Sequence, residues 1–333
     1  MQEYLDLVAD VLGEGTHEPN RTGVDTIAAF SRHYEVDLRE GFPLLTTKDL
    51  SGFRWNSLVH EFLWYLSGEE HIRNLREETS IWDAWADEAG RLDTAYGRFW
   101  RRYPVPEGED RLEGESWPDA GHRWLNDDGT FDQIAYALNQ LRENPRSRRI
   151  VVNAWHPGNA AVSTLPPCHY TFVVNVQADR LNVHLTQRSG DVALGVPFNL
   201  AAYSLFTHAL ATRTDYEVGA FGHTIVDAHV YCGAGARGAW YADHLPELQA
   251  RLADVETRGE YRDVRAWLED AAPPEPDGEG YDHVPGLLTQ LSRAPGARPR
   301  IEVADKPLDE LAYDDVQLRD YDPAPGLEFA VAE

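Results

Sequence analysis

Pro166-Pro167-Cys168-His169 is the segment of this chain best equipped for covalent chemistry. Two prolines fix the path of the backbone into the thiol, and a thiolate is the strongest nucleophile that side chains offer near neutral pH. A single cytosolic cysteine is more often a small buried hydrophobe, so the neighbours decide. Twenty residues on, Gln187-Arg188-Ser189-Gly190-Asp191 ends a stretch whose pattern predicts a hairpin with the strand leaving Cys168. That pairing brings Arg188 beside the sulfur, where a guanidinium favours the thiolate. Arg148 and Arg149 form a second cationic pair, and Arg21 lies in Asn20-Arg21-Thr22-Gly23. Each alone reads as a solvated strand end or a carboxylate partner. Together, beside hydroxyls, their planar forks suit a dianion such as a phosphate monoester.

Two other patterns compete. Gly233-Ala234-Gly235-Ala236-Arg237-Gly238 matches G-x-G-x-x-G, follows a predicted strand, precedes a helical stretch from Trp240 to Leu252, and has Asp254 about twenty residues on. Too few parallel-strand candidates remain after it for a dinucleotide domain, so the plainer reading is a glycine-rich approach of a helix to the sheet. His229-x-x-Cys232 is a single pair, whereas a closed metal site needs about four ligands; no metal is expected.

The elements that position these residues follow from periodicity. Tyr4, Leu5, Val8, Val11 and Leu12 repeat at helical spacing and stop at Gly13 and Gly15. Further helices are predicted from about Leu58 to Arg76, from Phe131 to Glu143, and after Pro197, which sits well at a first helical position. Strands are predicted at Arg149–Trp155, Tyr170–Gln177, Leu181–Leu185 and Phe221–Tyr231. Residues 104–130 and 268–283 are acidic and rich in Pro and Gly, and read as solvated excursions. The expectation is an α+β fold: one catalytic domain over 1–333, a large mostly mixed sheet covered by helices, and surface insertions near 104–130 and 233–298.

Composition narrows the classes. Asp plus Glu number 56 against 30 for Lys plus Arg, a formal charge of −26 that repels phosphodiester backbones and anionic membranes. General nucleic-acid binding and membrane association are therefore not expected. Only Lys48 and Lys306 are lysines. An acidic surface almost without lysine is what a protein needs to stay hydrated in concentrated salt, where the Debye length shrinks to about 3 Å near 1 M, and a halophile's cytoplasm is the predicted setting. Two cysteines make no disulfide scaffold; the first fifteen residues lack the features of a secretory signal, and no apolar run approaches about 18 residues.

Nine stretches stand in the order found in thymidylate synthases: Asn20–Gly23, Phe42–Lys48, Ile81-Trp82-Asp83-x-Trp85, Tyr96-Gly97, Ser147–Arg149, Pro167–His169, Gln187–Asn199, Asp227-x-His229-x-Tyr231 and Tyr321–Gly326. The chain resembles that family over about 1–232 and 299–333. The resemblance implies a sheet-to-sheet homodimer that methylates dUMP reductively to dTMP, with 5,10-methylenetetrahydrofolate giving the one-carbon unit and a hydride and leaving as dihydrofolate. The alternative on the same scaffold is pyrimidine deoxynucleotide hydroxymethylation. Cys168 then resembles the nucleophile that adds to C6 of dUMP, and Glu61 and Tyr96 the proton-transfer network. Asn199 resembles the reader of pyrimidine O4 and N3. Arg21, Arg188 and Ser189 resemble phosphate ligands, Arg148 and Arg149 a pair lent across the dimer, and His229 and Tyr231 the ligands of the sugar 3′-hydroxyl. His169 and Gln187 belong with the nucleotide site. Asp191 resembles the pterin anchor, with Ile81, Trp82, Trp85, Leu194 and Gly195 around the folate. Glu61, an acid in an apolar helix, is expected to have a raised pKa. The chain departs from the family in placing Asp49 after Lys48 and in ending on Glu333.

Overall fold

The computed structural model describes residues 1–92, 95–105, 124–163, 165–275 and 280–332. The acidic excursion at 104–130 lies largely outside these residues, as does Glu333. In chain order the elements are α1 (Gln2–Glu14), β1 (Thr16–Glu18), β2 (Val24–Asp37), α2 (Phe53–Ser67), α3 (Arg73–Arg76), α4 (Tyr96–Arg101) and α5 (Gln133–Glu143). There follow β3 (Val151–Asn153), α6 (Pro157–Ala160), β4 (His169–Gln177), β5 (Arg180–Asp191), α7 (Gly195–Thr214), β6 (Glu217–Ala234), α8 (Gly235–Ala253), α9 (Tyr261–Ala271), α10 (Val284–Leu291), β7 (Arg300–Val303) and β8 (Val316–Arg319).

Six strands form one mixed sheet in the order β1-β2-β6-β5-β4-β3, and β7 and β8 form a separate antiparallel pair. Only β5 and β6 run parallel, and α7 makes the crossover between them, as a parallel pair requires. Leu200, Leu205, Phe206 and Leu210 of α7 are fully or almost fully buried, against Leu185 of β5 and Phe221 and Ile225 of β6. The hairpin between β4 and β5 closes on Ala178 and Asp179, both at positive φ (49° and 60°), the geometry of a two-residue turn that follows the twist of the strands. The opposite face of the sheet is barer: Phe30 is 79% exposed and Val151 41%.

Irregularities gather near Cys168. On β4 two residues oppose one of β5 where the pairing passes from His169↔Gln187 to Thr171↔Thr186, and Ser31 of β2 sits at φ 59° where pairing with β6 skips from Phe30↔Asp227 to Arg32↔Ile225. The bulge on β4 bends that strand and re-aims its side chains, whereas the register of β2 against β6 is the same on both sides of Ser31. The long strand β2 was not anticipated because its pattern of burial loses period 2 in mid-strand.

Helices shift from expectation in two places. The helix predicted to run to Arg76 stops at Ser67, because Gly68 takes the left-handed conformation (φ 73°) that ends helices. The stretch 268–283, read as a solvated excursion, begins inside α9 and buries Leu268 and His283 completely; its composition hid an apolar stripe already set by Val264 and Leu268. The glycine pattern at 233–238 does link a strand to a helix, but for packing: a Cβ on Gly238 would lie 2.6 Å from the Gly233 carbonyl oxygen. Among the described residues, no helix is long and apolar enough to cross a membrane.

One close approach positions the site. A Cβ on Gly97, in α4, would lie 2.2 Å from the backbone oxygen of Tyr65 in α2, so the absence of a side chain lets the helix carrying Tyr96 press against the helix carrying Glu61. Gly97→Ala must part these backbones, and we expect a loss of about 1–3 kcal/mol of stability together with lowered turnover. Denaturant unfolding in molar KCl and a steady-state assay check this; unchanged unfolding midpoints would mean the helices do not rely on the contact.

Candidate active site

Cys168 ends the loop into β4 and is half-buried. Its amide N–H donates to the Tyr96 hydroxyl oxygen at 2.8 Å, and Arg188 Nη2 lies 3.4 Å from its sulfur. The expected pairing is present: the Arg188 amide N–H donates to the Cys168 carbonyl at 2.8 Å. The guanidinium is also clamped by the carbonyls of Pro166 and Pro167, at 2.6 and 3.0 Å. Thus the prolines not only steer the chain but orient the cation. The net effect on the thiol differs from expectation. Burial pushes its pKa above the ordinary value, and Arg188, Tyr96 and Arg21 only partly pull it back.

Around the sulfur stands an aromatic wall. The His169 ring stacks on Tyr96 with centroids 3.5 Å apart, and its Nδ1 is 2.8 Å from the Tyr203 hydroxyl. Burial drops the His169 pKa to about 3, so the ring is neutral. Glu61, buried in α2, accepts from Trp82 Nε1–H at 2.7 Å and bonds with Tyr65. Desolvation outweighs both contacts and lifts its pKa to about 7, as its setting predicted. Trp82 lies edge-on to Trp85 and to Tyr96, with centroids 5.6 and 6.0 Å apart.

Gln187 faces the sheet core, where His223 Nε2 is 2.9 Å from its Oε1 and the Tyr34 hydroxyl meets His223 Nδ1 at 2.8 Å. An amide oxygen only accepts, so Nε2 carries the proton and Tyr34 donates to Nδ1. This chain fixes the Gln187 amide. Ser189 donates to Asp227 at 3.3 Å. His229 and Tyr231 follow on β6 with ring centroids 5.3 Å apart, and burial raises the Tyr231 phenol to about 12. Arg21, exposed in the turn before β2, is near enough to act on both Tyr231 and the thiol. Asn199, in the first turns of α7, is half-buried.

Asp191 ends β5, its Oδ1 accepting from the amides of Ala193 and Leu194 at 2.8 and 3.2 Å and so fixing the entry of Leu194-Gly195 into α7. Lys48 is buried behind it, donating to the Ala193 carbonyl at 2.5 Å, and burial lowers its pKa to about 7. The loop after Phe42 holds the C-terminal segment despite Asp49: the Tyr321 hydroxyl donates to the Leu45 carbonyl at 2.6 Å, and Arg293 bridges the carbonyls of Thr47 and Pro325.

Arg148 and Arg149 are exposed ahead of β3 and make none of these contacts with Cys168 or its wall. Four supporting residues escaped sequence reasoning. Tyr65, one turn after Glu61, was open to discovery by its i,i+4 spacing. Tyr203, His223 and His283 carry no local signal, since only strand register and the packing of α7 and α10 bring them in.

The thymidylate synthase sequence profile matches residues 2–333. The thymidylate synthase of Haloferax volcanii is 73% identical over 330 residues, covering 99% of this chain and 96% of that protein. A thiol, a guanidinium and a buried acid stand around one cleft in a chain matched from end to end, and it belongs to the thymidylate synthase family.

Proposed function

We infer that this cleft converts dUMP to dTMP by reductive methylation, with Cys168 as the nucleophile. The observation that carries the reading is the sulfur held 3.4 Å from a guanidinium that the preceding prolines immobilise. Addition of the thiolate to C6 of the pyrimidine makes C5 nucleophilic. The raised thiol pKa means that the free cleft keeps sulfur mostly protonated; the proton leaves as the nucleophile attacks, and Arg188 steadies the charge. Tyr96, beside the sulfur, and Glu61, poised near neutrality, move the proton that C5 must lose. Asn199 reads the O4 and N3 edge, and His229 and Tyr231 take the sugar hydroxyl. Arg21, Arg188 and Ser189 hold the phosphate, with Gln187 and His169 fixed behind the base.

Bound 5,10-methylenetetrahydrofolate supplies the one-carbon unit and the hydride. The residues fit it: Trp82, Trp85 and half-buried Ile81 offer flat apolar surface, Asp191 keeps its second oxygen for a donor, and the buried Nδ1 of His283 beside it lacks a partner. Leu194 and Gly195 carry Asp191's backbone partners. Family and relative alike are named for the synthase, which favours methylation over hydroxymethylation.

We also propose a homodimer formed sheet to sheet. The exposed Phe30 and Val151 on the bare face of the sheet support it, as do Arg148 and Arg149, free to reach the phosphate of a second copy. One domain with insertions near 104–130 and 233–298, a cytoplasmic setting in high salt, and no general affinity for nucleic acid complete the reading.

Three measurements test these roles. Loss of the C5 proton needs the Glu61 carboxylate, so tritium release from [5-³H]dUMP should rise with pH through about 7 and level above it; Glu61→Gln should remove that rise and slow release about 100-fold or more. A rise retained in the variant assigns the base elsewhere. Asn199→Asp should shift kcat/KM from dUMP toward dCMP by roughly tenfold to a hundredfold, because cytosine reverses the donor and acceptor pattern; an unmoved ratio removes Asn199 as the reader. Finally, inactive Arg149→Ala and Cys168→Ala chains should recover activity when subunits exchange, since one site of the mixed dimer is whole. No recovery after verified exchange would end the shared-site proposal.

A further inference from the structure

A cavity of about 520 Å³ lies where the end of α2 meets α4, and four arginines, Arg73, Arg91, Arg98 and Arg102, line it. None of its lining residues belongs to the cleft around Cys168. In a chain whose acids outnumber its bases 56 to 30, guanidiniums should readily find carboxylates. Arg98 does so, 2.9 Å from Glu70. Among the described residues, Arg73, Arg91 and Arg102 have no carboxylate at ion-pair distance, and Arg102 acts on Asp128 only from beyond it. Arg21, Arg148, Arg149 and Arg188, the arginines read as phosphate ligands, are likewise without one. Single arginines elsewhere are too, but here three converge on one cavity. Three carboxylates share it, and each is engaged: Glu70 with Arg98, Glu69 with the Asn74 amide at 2.9 Å, and Asp128 with the amide and hydroxyl of Thr130.

The walls are pinned. The Ile72 amide donates to the Gly90 carbonyl at 2.9 Å and the Leu92 amide to the Glu70 carbonyl at 2.8 Å, which sets His71 opposite Arg91. Gly90, at φ 81°, makes room for that histidine, since a Cβ there would lie 2.7 Å from its ring. His71 Nδ1 accepts from the Arg73 amide at 2.9 Å, so the neutral ring keeps its proton on Nε2 as a further donor. On the other side, Asn126 Nδ2 donates to the Arg101 carbonyl at 2.8 Å and the Asn126 amide to the Thr130 carbonyl at 2.8 Å, which holds the turn carrying Asp128 against the end of α4. The lining has no aliphatic, phenyl or indole side chain. It offers charge and hydrogen bonds, and no flat apolar surface for a base or a pterin.

We propose that this cavity binds a chain of linked phosphates, either inorganic or carried by a nucleoside. Planar forks on separate segments each suit two-point contact with phosphate oxygens, and linked phosphates can engage several forks where a single phosphate reaches fewer. Ser67 and Gly68 close the helix that carries Glu61, while Arg98 and Arg102 lie at the end of the helix that carries Tyr96. A phosphate chain held between them ties those two helix ends together.

Calorimetric titration of the full-length protein in molar KCl tests this, with saturating dUMP present to fill the nucleotide's own phosphate subsite. Inorganic triphosphate should bind once per chain, ATP within about threefold of it, and orthophosphate at least about tenfold more weakly. Added KCl should weaken the binding, because screening acts on exposed charges. Arg73→Gln combined with Arg91→Gln removes two exposed forks; it should weaken triphosphate about tenfold to a hundredfold and leave dUMP turnover in its absence unchanged. Without any substitution, bound triphosphate should slow amide hydrogen exchange over residues 67–73 and 98–102. No binding by the parent protein, a double variant that binds as tightly as the parent, or protection confined to other segments would overturn the site. Orthophosphate as tight as triphosphate, or ATP bound where inorganic triphosphate is not, would overturn the phosphate chain as its ligand.

Discussion

The cleft depends on one guanidinium. Arg188 engages the carbonyls of Pro167 and Pro166 through Nε and Nη2 before it meets the sulfur, which makes its position a property of the backbone rather than of a flexible stem. A bound cation of this kind is needed because the rest of the environment works against charge. The same dry wall pushes the thiol up, brings Lys48 and Glu61 to about 7, and strips His169 of its proton down to about 3. Water exclusion therefore sets the proton inventory, and at the sulfur Arg188 is the main charge that works against it. Arginine serves here where lysine would fail, because a buried ammonium sheds its proton, as Lys48 illustrates, whereas a guanidinium does not.

Much of this was legible beforehand, and unevenly so. The hairpin that brings Arg188 to Cys168 follows from alternation around a two-residue turn, and α1 and α7 follow from their apolar repeats. Glu61 was readable as an acid in an apolar helix, but periodicity alone left open an exposed face; the fold buries it against Trp82 and Tyr65. Strand β2 was not readable because its alternation is lost around Ser31, which takes a positive φ. The stretch 268–283 misled because proline and acidic content mask the buried Leu268 and His283. Chemistry borne by short motifs could be seen in sequence, while residues that act through register or long-range packing, such as His223 and His283, could not.

The helices that follow β6 also bear on the edge of the sheet. Between β6 and α10 the chain makes α8 and α9, and α8 packs on α1, β1 and β2. The ion pair between Arg237, in α8, and Asp282, just before α10, is nearly dry. In so acidic a protein, where a paired cation is scarce, spending one of the few basic side chains there marks the joint between β6 and α10 as a place where precision outweighs surface hydration.

The order of strands has a consequence for how the molecule is made. Strand β2, formed by residue 37, lies between β1 and β6, and its long pairing with β6 waits until residue 234 has been synthesised. At roughly 5–20 residues per second that interval is of the order of ten to forty seconds. During it β2 has β1 and α1 against it while its other edge stands open. Contacts so distant in sequence slow folding in any chain, and charged side chains blunt an open edge; β2 carries Asp25, Arg32, Glu35 and Asp37, which guard it against pairing with a neighbouring copy until β6 arrives.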